Sequence, residues 1–167
     1  MVASDEYLGK KYTLNELYKI GVREGDIVAR PSNRFNTGTS WNYYLLRKGI
    51  SDGEFNTSLC CYKDSRLPEK TYLSQIGFNW VGGPINDFRL ITKKEYNDFV
   101  DACVWTLKTP MVKEFPTDWG ENEYAQIIGA MAKYKLLDYF ELVKLNNELI
   151  KLHGTNFLSL YKKLYYC

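Results

Sequence analysis

Trp41-Asn42-Tyr43-Tyr44-Leu45-Leu46-Arg47-Lys48-Gly49-Ile50 and Glu54-Phe55-Asn56-Thr57-Ser58-Leu59-Cys60-Cys61-Tyr62 flank an Asp52-Gly53 step. Asp-Gly suits a type I′ turn, because both central residues need positive φ and the turn then follows the twist of its strands. The pattern predicts a β-hairpin. A helix over 41–48 competes with it, since Tyr44, Leu45 and Leu46 break strict alternation.

Upstream, Thr13 and Glu16 have capping-box spacing, Leu14, Leu17 and Tyr18 form an apolar stripe, and Gly21 fits a left-handed helix end. Glu24 to Pro31 reads as turn then strand, with Pro31 ending it because proline cannot donate to a ladder. Residues 31–42 have loop chemistry.

Downstream, Tyr72 to Val81 reads as a strand broken near Gly77 and closed by Gly82-Gly83-Pro84. Phe88 to Ile91 reads as a short strand feeding a helix. Thr92 and Glu95 repeat the capping-box spacing, and Tyr96, Phe99, Val100, Cys103, Val104 and Leu107 recur at helical intervals. After a linker over 109–116 the rest reads as helical. One helix starts near Thr117 or Trp119, a second ends at Gly154, and a third runs from Phe157 to Tyr165. The fold class expected is α+β in a single domain, 1–167. A small antiparallel sheet, about 22–91, packs with a C-terminal helical layer, about 92–167.

A chain of 167 residues buries roughly 68–70% of the surface its unfolded form exposes, so its core needs neither disulfide nor metal. No run approaches the roughly 18 apolar residues of a membrane span. Met1 to Glu6 begins acidic, with no apolar signal segment. These features point to a cytoplasmic protein with no membrane association. Cys60, Cys61, Cys103 and Cys167 have no zinc or disulfide spacing, which leaves reduced thiols and no cofactor. Enrichment in Tyr, Phe, Asn and Lys fits an AT-rich coding genome, as in many bacteria and bacteriophages.

The net charge of +2 is too mild to imply nucleic acid by itself. Its distribution says more. Arg23, Arg30, Arg34 and Arg47 fall within 25 residues, joined by Lys48 and interleaved with Phe35, Trp41, Tyr43 and Tyr44. Arginine forks match phosphate and carboxylate geometry, and aromatic faces stack bases or fill partner pockets. Arg30, Arg34, Phe35, Trp41, Tyr43, Arg47 and Lys48 are the candidate binding residues. The competing reading puts the rings in the core and the guanidinium groups in solvent.

Other candidates are weaker. Cys60 and Cys61 suit buried strand positions better than a nucleophile, because no base accompanies them. His153 ends a helix, where a cation is favoured. Asp98/Asp101, Glu121/Glu123 and Glu114/Asp118 have no glycosidase or metal pattern. The glycine-rich stretches near Gly38 and Gly82 match no phosphate loop.

Val22-Arg23-Glu24-Gly25-Asp26-Ile27-Val28 resembles the strand opening of many small β-barrels and papain-like hydrolases. The hydrolase branch implies a Cys/His pair, which this chain does not place. The expectation is a non-catalytic binding protein acting by protein–protein contact around residues 30–48, such as a small bacterial or phage accessory or inhibitor protein. Nucleic-acid binding through the same patch is the first alternative. An enzyme on phosphorylated or nucleotide substrates is the second, and it lacks a general base.

Overall fold

The predicted hairpin is present. In the computed structural model, which describes residues 10–32, 40–50, 54–64, 70–78, 86–111, 113–114 and 117–165, strands β2 (Ser40–Lys48) and β3 (Phe55–Asp64) pair antiparallel. Gly49 N–H donates to the Glu54 carbonyl at 3.0 Å and closes the ladder. Asp52 and Gly53 lie outside the described residues. The broken alternation at Leu45 and Leu46 reflects burial of both faces of β2, Tyr43 to Leu46 all being buried; beside it the register shifts, Leu45 facing Leu59 and Leu46 facing Thr57, so Ser58 is an extra, bulged residue of β3. No helix forms over 41–48.

The architecture is α+β, with a five-stranded antiparallel sheet in the N-terminal half and four helices in the C-terminal half. The strand order is β4-β3-β2-β1-β5, where β1 is Ile27–Ser32, β4 Lys70–Phe78 and β5 Arg89–Leu90. Pro31 does not end β1; it pairs with Trp41 inside the strand. Residue 40, expected in a loop, starts β2 instead. The chain divides into two compact units, Met1–Ala102 and Cys103–Cys167.

In the first unit, helix α1 (Leu14–Lys19) is set by its ends. Thr13 Oγ1 accepts from Glu16 N–H at 3.1 Å, and the Glu16 carboxylate accepts from Thr13 N–H at 3.0 Å. Gly21, at φ +113°, takes the left-handed position, and Val22 N–H reaches back to the Leu17 carbonyl. Leu14, Leu17 and Val22 are buried with Val28, Tyr44, Leu46, Phe55, Cys60, Phe88 and Leu90. Each such side chain contributes about 1.5–3 kcal/mol on full burial.

Helix α2 (Lys93–Lys108) begins with the expected box: Glu95 N–H donates to Thr92 Oγ1 at 3.2 Å, and Thr92 N–H to the Glu95 carboxylate at 3.0 Å. The stretch after α2 departs from expectation. Strands β6 (Lys113–Glu114) and β7 (Thr117–Asp118) form a small antiparallel ladder inside what reads as linker and helix start, and α3 begins only at Glu121.

In the second unit, α3 (Glu121–Lys133), α4 (Tyr139–His153) and α5 (Phe157–Tyr165) share a core that includes Ile127, Ile128, Met131, Leu145, Leu149 and Phe157. The break between α3 and α4 is hidden in sequence because a lysine does a glycine's work. Lys135 adopts φ +55°, its N–H donates to the Ala132 carbonyl, and Leu136 N–H donates to the Met131 carbonyl. That is a Schellman end without glycine. The buried Asn146 ties α4 to the start of α5: its Nδ2 donates to Asn156 Oδ1 at 3.1 Å, and its Oδ1 accepts from Leu158 N–H.

Two substitutions check these assignments by urea denaturation. Lys135→Gly should stabilise the chain by about 0.5–1 kcal/mol, since a left-handed lysine is strained by about 1–2 kcal/mol and glycine is not. Gly129→Ala should do the reverse. A Cβ at Gly129 would overlap the Tyr161 ring, and overpacking costs about 1–3 kcal/mol, more than the roughly 1 kcal/mol gained in helix propensity.

Candidate functional site

Alternation along β2 decides where the candidate residues go. Trp41 and Tyr43 lie on the face that meets the start of α2, whereas Tyr44 and Leu46 lie on the face that meets α1. The proposed patch is therefore two groups on opposite sides of one sheet.

The first group centres on Glu95. Its carboxylate accepts two hydrogen bonds from the Arg89 guanidinium, at 2.9 and 2.7 Å, and one from the Tyr43 hydroxyl at 2.7 Å. Arg89 lies over the Trp41 ring, 4.0 Å from its centroid. The side chains of Arg89 and Glu95 are only 17% and 13% exposed. Burial alone would raise the pKa of Glu95, but the hydrogen bonds from Arg89, Tyr43 and the Thr92 backbone outweigh it and hold the carboxyl at about 2. Burial works against the charge on Arg89 too, yet Glu95 keeps its pKa above the ordinary value. Burial first, and then the adjoining Glu95, push the Tyr43 phenol well up.

Tyr43 is a correction to the sequence reading. It is 2% exposed, so its ring faces inward and is not offered to a partner. Trp41 keeps part of its surface in solvent, with one face covered by Arg89.

The second group contains Arg30. Its Nε lies 2.9 Å from Asp87 Oδ1, and its guanidinium stands 5.5 Å from the Phe88 centroid. Tyr44 is buried on the same face, and burial, with Cys60 next in weight, pushes its hydroxyl up to about 12. Arg23 is also engaged by its own chain: it donates to the carbonyls of Tyr18 and Val22 and lies 3.9 Å over the Tyr18 ring. Arg47 is half-buried opposite Asn56, and Lys48 is exposed at the strand end. Arg34, Phe35, Gly38 and Gly82 lie outside the described residues.

The remaining candidates take structural places. Cys60 and Cys61 are buried in β3, and burial pushes the Cys60 thiol up to about 11, far from a reactive thiolate. His153 is the last residue of α4. Its Nε2 lies 2.7 Å from the Leu107 carbonyl, so that nitrogen carries the hydrogen, and its ring meets Tyr124 and Phe157 edge-on. It closes the end of α2. Asp98 pairs with Lys94, Glu121 accepts from Thr155, and Glu123 accepts from Gly120 N–H at the start of α3. Among the described residues no cluster of three or more His, Cys, Asp or Glu could hold a metal ion, and no helix is long and apolar enough to cross a membrane.

One exposed feature is not what the sequence suggests. Tyr139 and Phe140 open α4 at 82% and 77% exposure, although they continue the apolar pattern of that helix. The signal lay in an excess: Leu142, Leu145 and Leu149 already fill the buried face, leaving the two rings without an internal place.

No protein-family model matches the chain, and no match is found among curated proteins or solved structures.

The Glu95 network makes a pH prediction. Because the folded carboxyl sits near 2, against about 4.5 ordinarily, its contribution is complete above pH 4.5 and is lost as pH falls toward 2. Urea midpoints of Glu95→Gln should be lower than wild type at pH 7, with the difference shrinking between pH 4.5 and 2. A constant difference would contradict the assignment.

Proposed function

We propose that the protein is a non-catalytic binding protein that acts by contact with another protein. The aromatic pair at the start of α4 carries this reading. Tyr139 and Phe140 stay in water at 82% and 77% exposure, where each forgoes about 1.5–3 kcal/mol of burial. The helix does not require them there, since Asp138 caps it by accepting from Glu141 N–H at 2.8 Å. Val143 lies one turn further along, partly exposed, and Lys144 adds a cation beside it. Exposed rings with polar neighbours fit the pattern of an interface core and rim.

The surface around residues 30–48 enters with a smaller share, through Trp41, Arg47 and Lys48. Nucleic-acid binding there is less well supported. Arg30 would have to exchange Asp87 for phosphate, and Arg89 would have to exchange Glu95. An enzyme on phosphorylated substrates meets the same obstacle.

The test uses the full chain as bait, with mass spectrometry of captured proteins. The double variant Tyr139→Ser with Phe140→Ser should lose a partner that wild type retains, while its far-UV circular dichroism is unchanged. Retention of every partner by the folded variant would contradict the reading.

A further inference from the structure

Helix α4 has a second apolar face. Leu142, Leu145 and Leu149 turn to the core, while Tyr139, Phe140, Val143 and Ile150 point about a third of a turn away. Val143 and Ile150 keep 37% and 36% of their surface in solvent, so the stripe runs on past the two rings. Phe140, Val143, Asn147 and Ile150 follow 3-4-3 spacing, the seam of a two-helix contact, over about 15 Å.

The charges beside this seam have one sign. Lys144 and Lys151 stand one turn beyond Phe140 and Asn147 on the same side of the helix, one heptad apart, and both are exposed. Glu141 and Glu148 fall further round, and the Glu148 carboxylate already holds Lys108 Nζ at 3.0 Å. Among the described residues neither Lys144 nor Lys151 has a hydrogen bond or ion pair of its own. The other flank is closed. Asn146 is buried there, its amide bonded to Asn156 and to Leu158 N–H at the start of α5.

We propose, on the reading of α4 as a contact surface, that the seam receives an amphipathic helix of another protein with carboxylates one heptad apart facing Lys144 and Lys151. Charge and the closed flank select that occupant. A second copy laid antiparallel, with all four seam residues matched, would set the two Lys144 side chains together near the two-fold. A parallel copy would set its Lys151 against Asn146, which α5 already engages. Asn147 argues against a lipid surface, because an amide pressed into acyl chains finds no hydrogen-bond partner. A facing helix can meet it with a polar side chain.

Fluorescence anisotropy of the full chain with two labelled synthetic peptides tests this. Each peptide repeats heptads with Ile at a and Leu at d. One carries Glu at e and g and the other Lys, which keeps each from pairing with itself. Wild type should bind the Glu peptide about tenfold more tightly, the scale of two exposed ion pairs set against two repulsions. Lys144→Gln with Lys151→Gln keeps the helix, since glutamine has nearly lysine's helix propensity, and should lose that preference. Tyr139→Ser with Phe140→Ser should lose binding. No binding of the Glu peptide overturns the proposal, as does equal binding of both peptides. So does a preference that the glutamine variant keeps, or binding that the serine variant keeps. Binding to phosphatidylserine vesicles with none to either peptide overturns it in favour of a lipid surface. If the peptides fail while the serine variant still loses a captured protein, the contact surface stands and its acidic helical partner does not.

Discussion

A strand sends successive side chains to opposite faces, and everything that residues 41–48 can do follows from that alternation. Trp41 and Tyr43 go toward the start of α2, and Tyr44 and Leu46 go toward α1. A cluster that is continuous in sequence becomes two groups separated by a sheet. Each group meets its own acid: Glu95 for Arg89 on one face, Asp87 for Arg30 on the other. The arginines and rings thus organise the first unit before they can serve any partner.

The Glu95 cluster shows why such groups hold geometry more than they add stability. Desolvating a guanidinium and a carboxylate costs several kcal/mol per ion, and their attraction recovers this only with good hydrogen-bond geometry. Here the carboxylate accepts from Arg89, Tyr43 and Thr92 together. Any other placement of the first turn of α2 would leave a half-buried charge short of partners. That requirement fixes where α2 starts against the sheet.

What was legible in the sequence was local. Thr13/Glu16 and Thr92/Glu95 are reciprocal boxes readable from four residues each, and both form as read. The hairpin was readable because its two runs flank a turn of known chemistry. The α+β class followed from these pieces. What was hidden depended on long-range contacts or on a residue in an unusual role. Lys135 in a left-handed conformation separates α3 from α4 with no glycine to announce it. The β6–β7 ladder is too short for any periodicity. The exposure of Tyr139 and Phe140 was hidden because composition cannot say which of two apolar faces a helix buries. The binding residues were named by type, and burial then separated them: Tyr43 inward, Trp41 at the boundary, Lys48 outward.

The functional reading therefore moves from the basic hairpin toward surfaces that the fold leaves open. The claim beneath it is the splitting of the hairpin residues between two faces. Side-chain NMR distances test it most directly. Nuclear Overhauser contacts should join Tyr43 to Glu95 and Trp41 to Arg89, and should join Tyr44 to Leu14 or Leu17, with no contact from Tyr43 to α1. Tyr43 and Tyr44 rings that both contact α1, or that both tumble freely in solvent, would contradict the account.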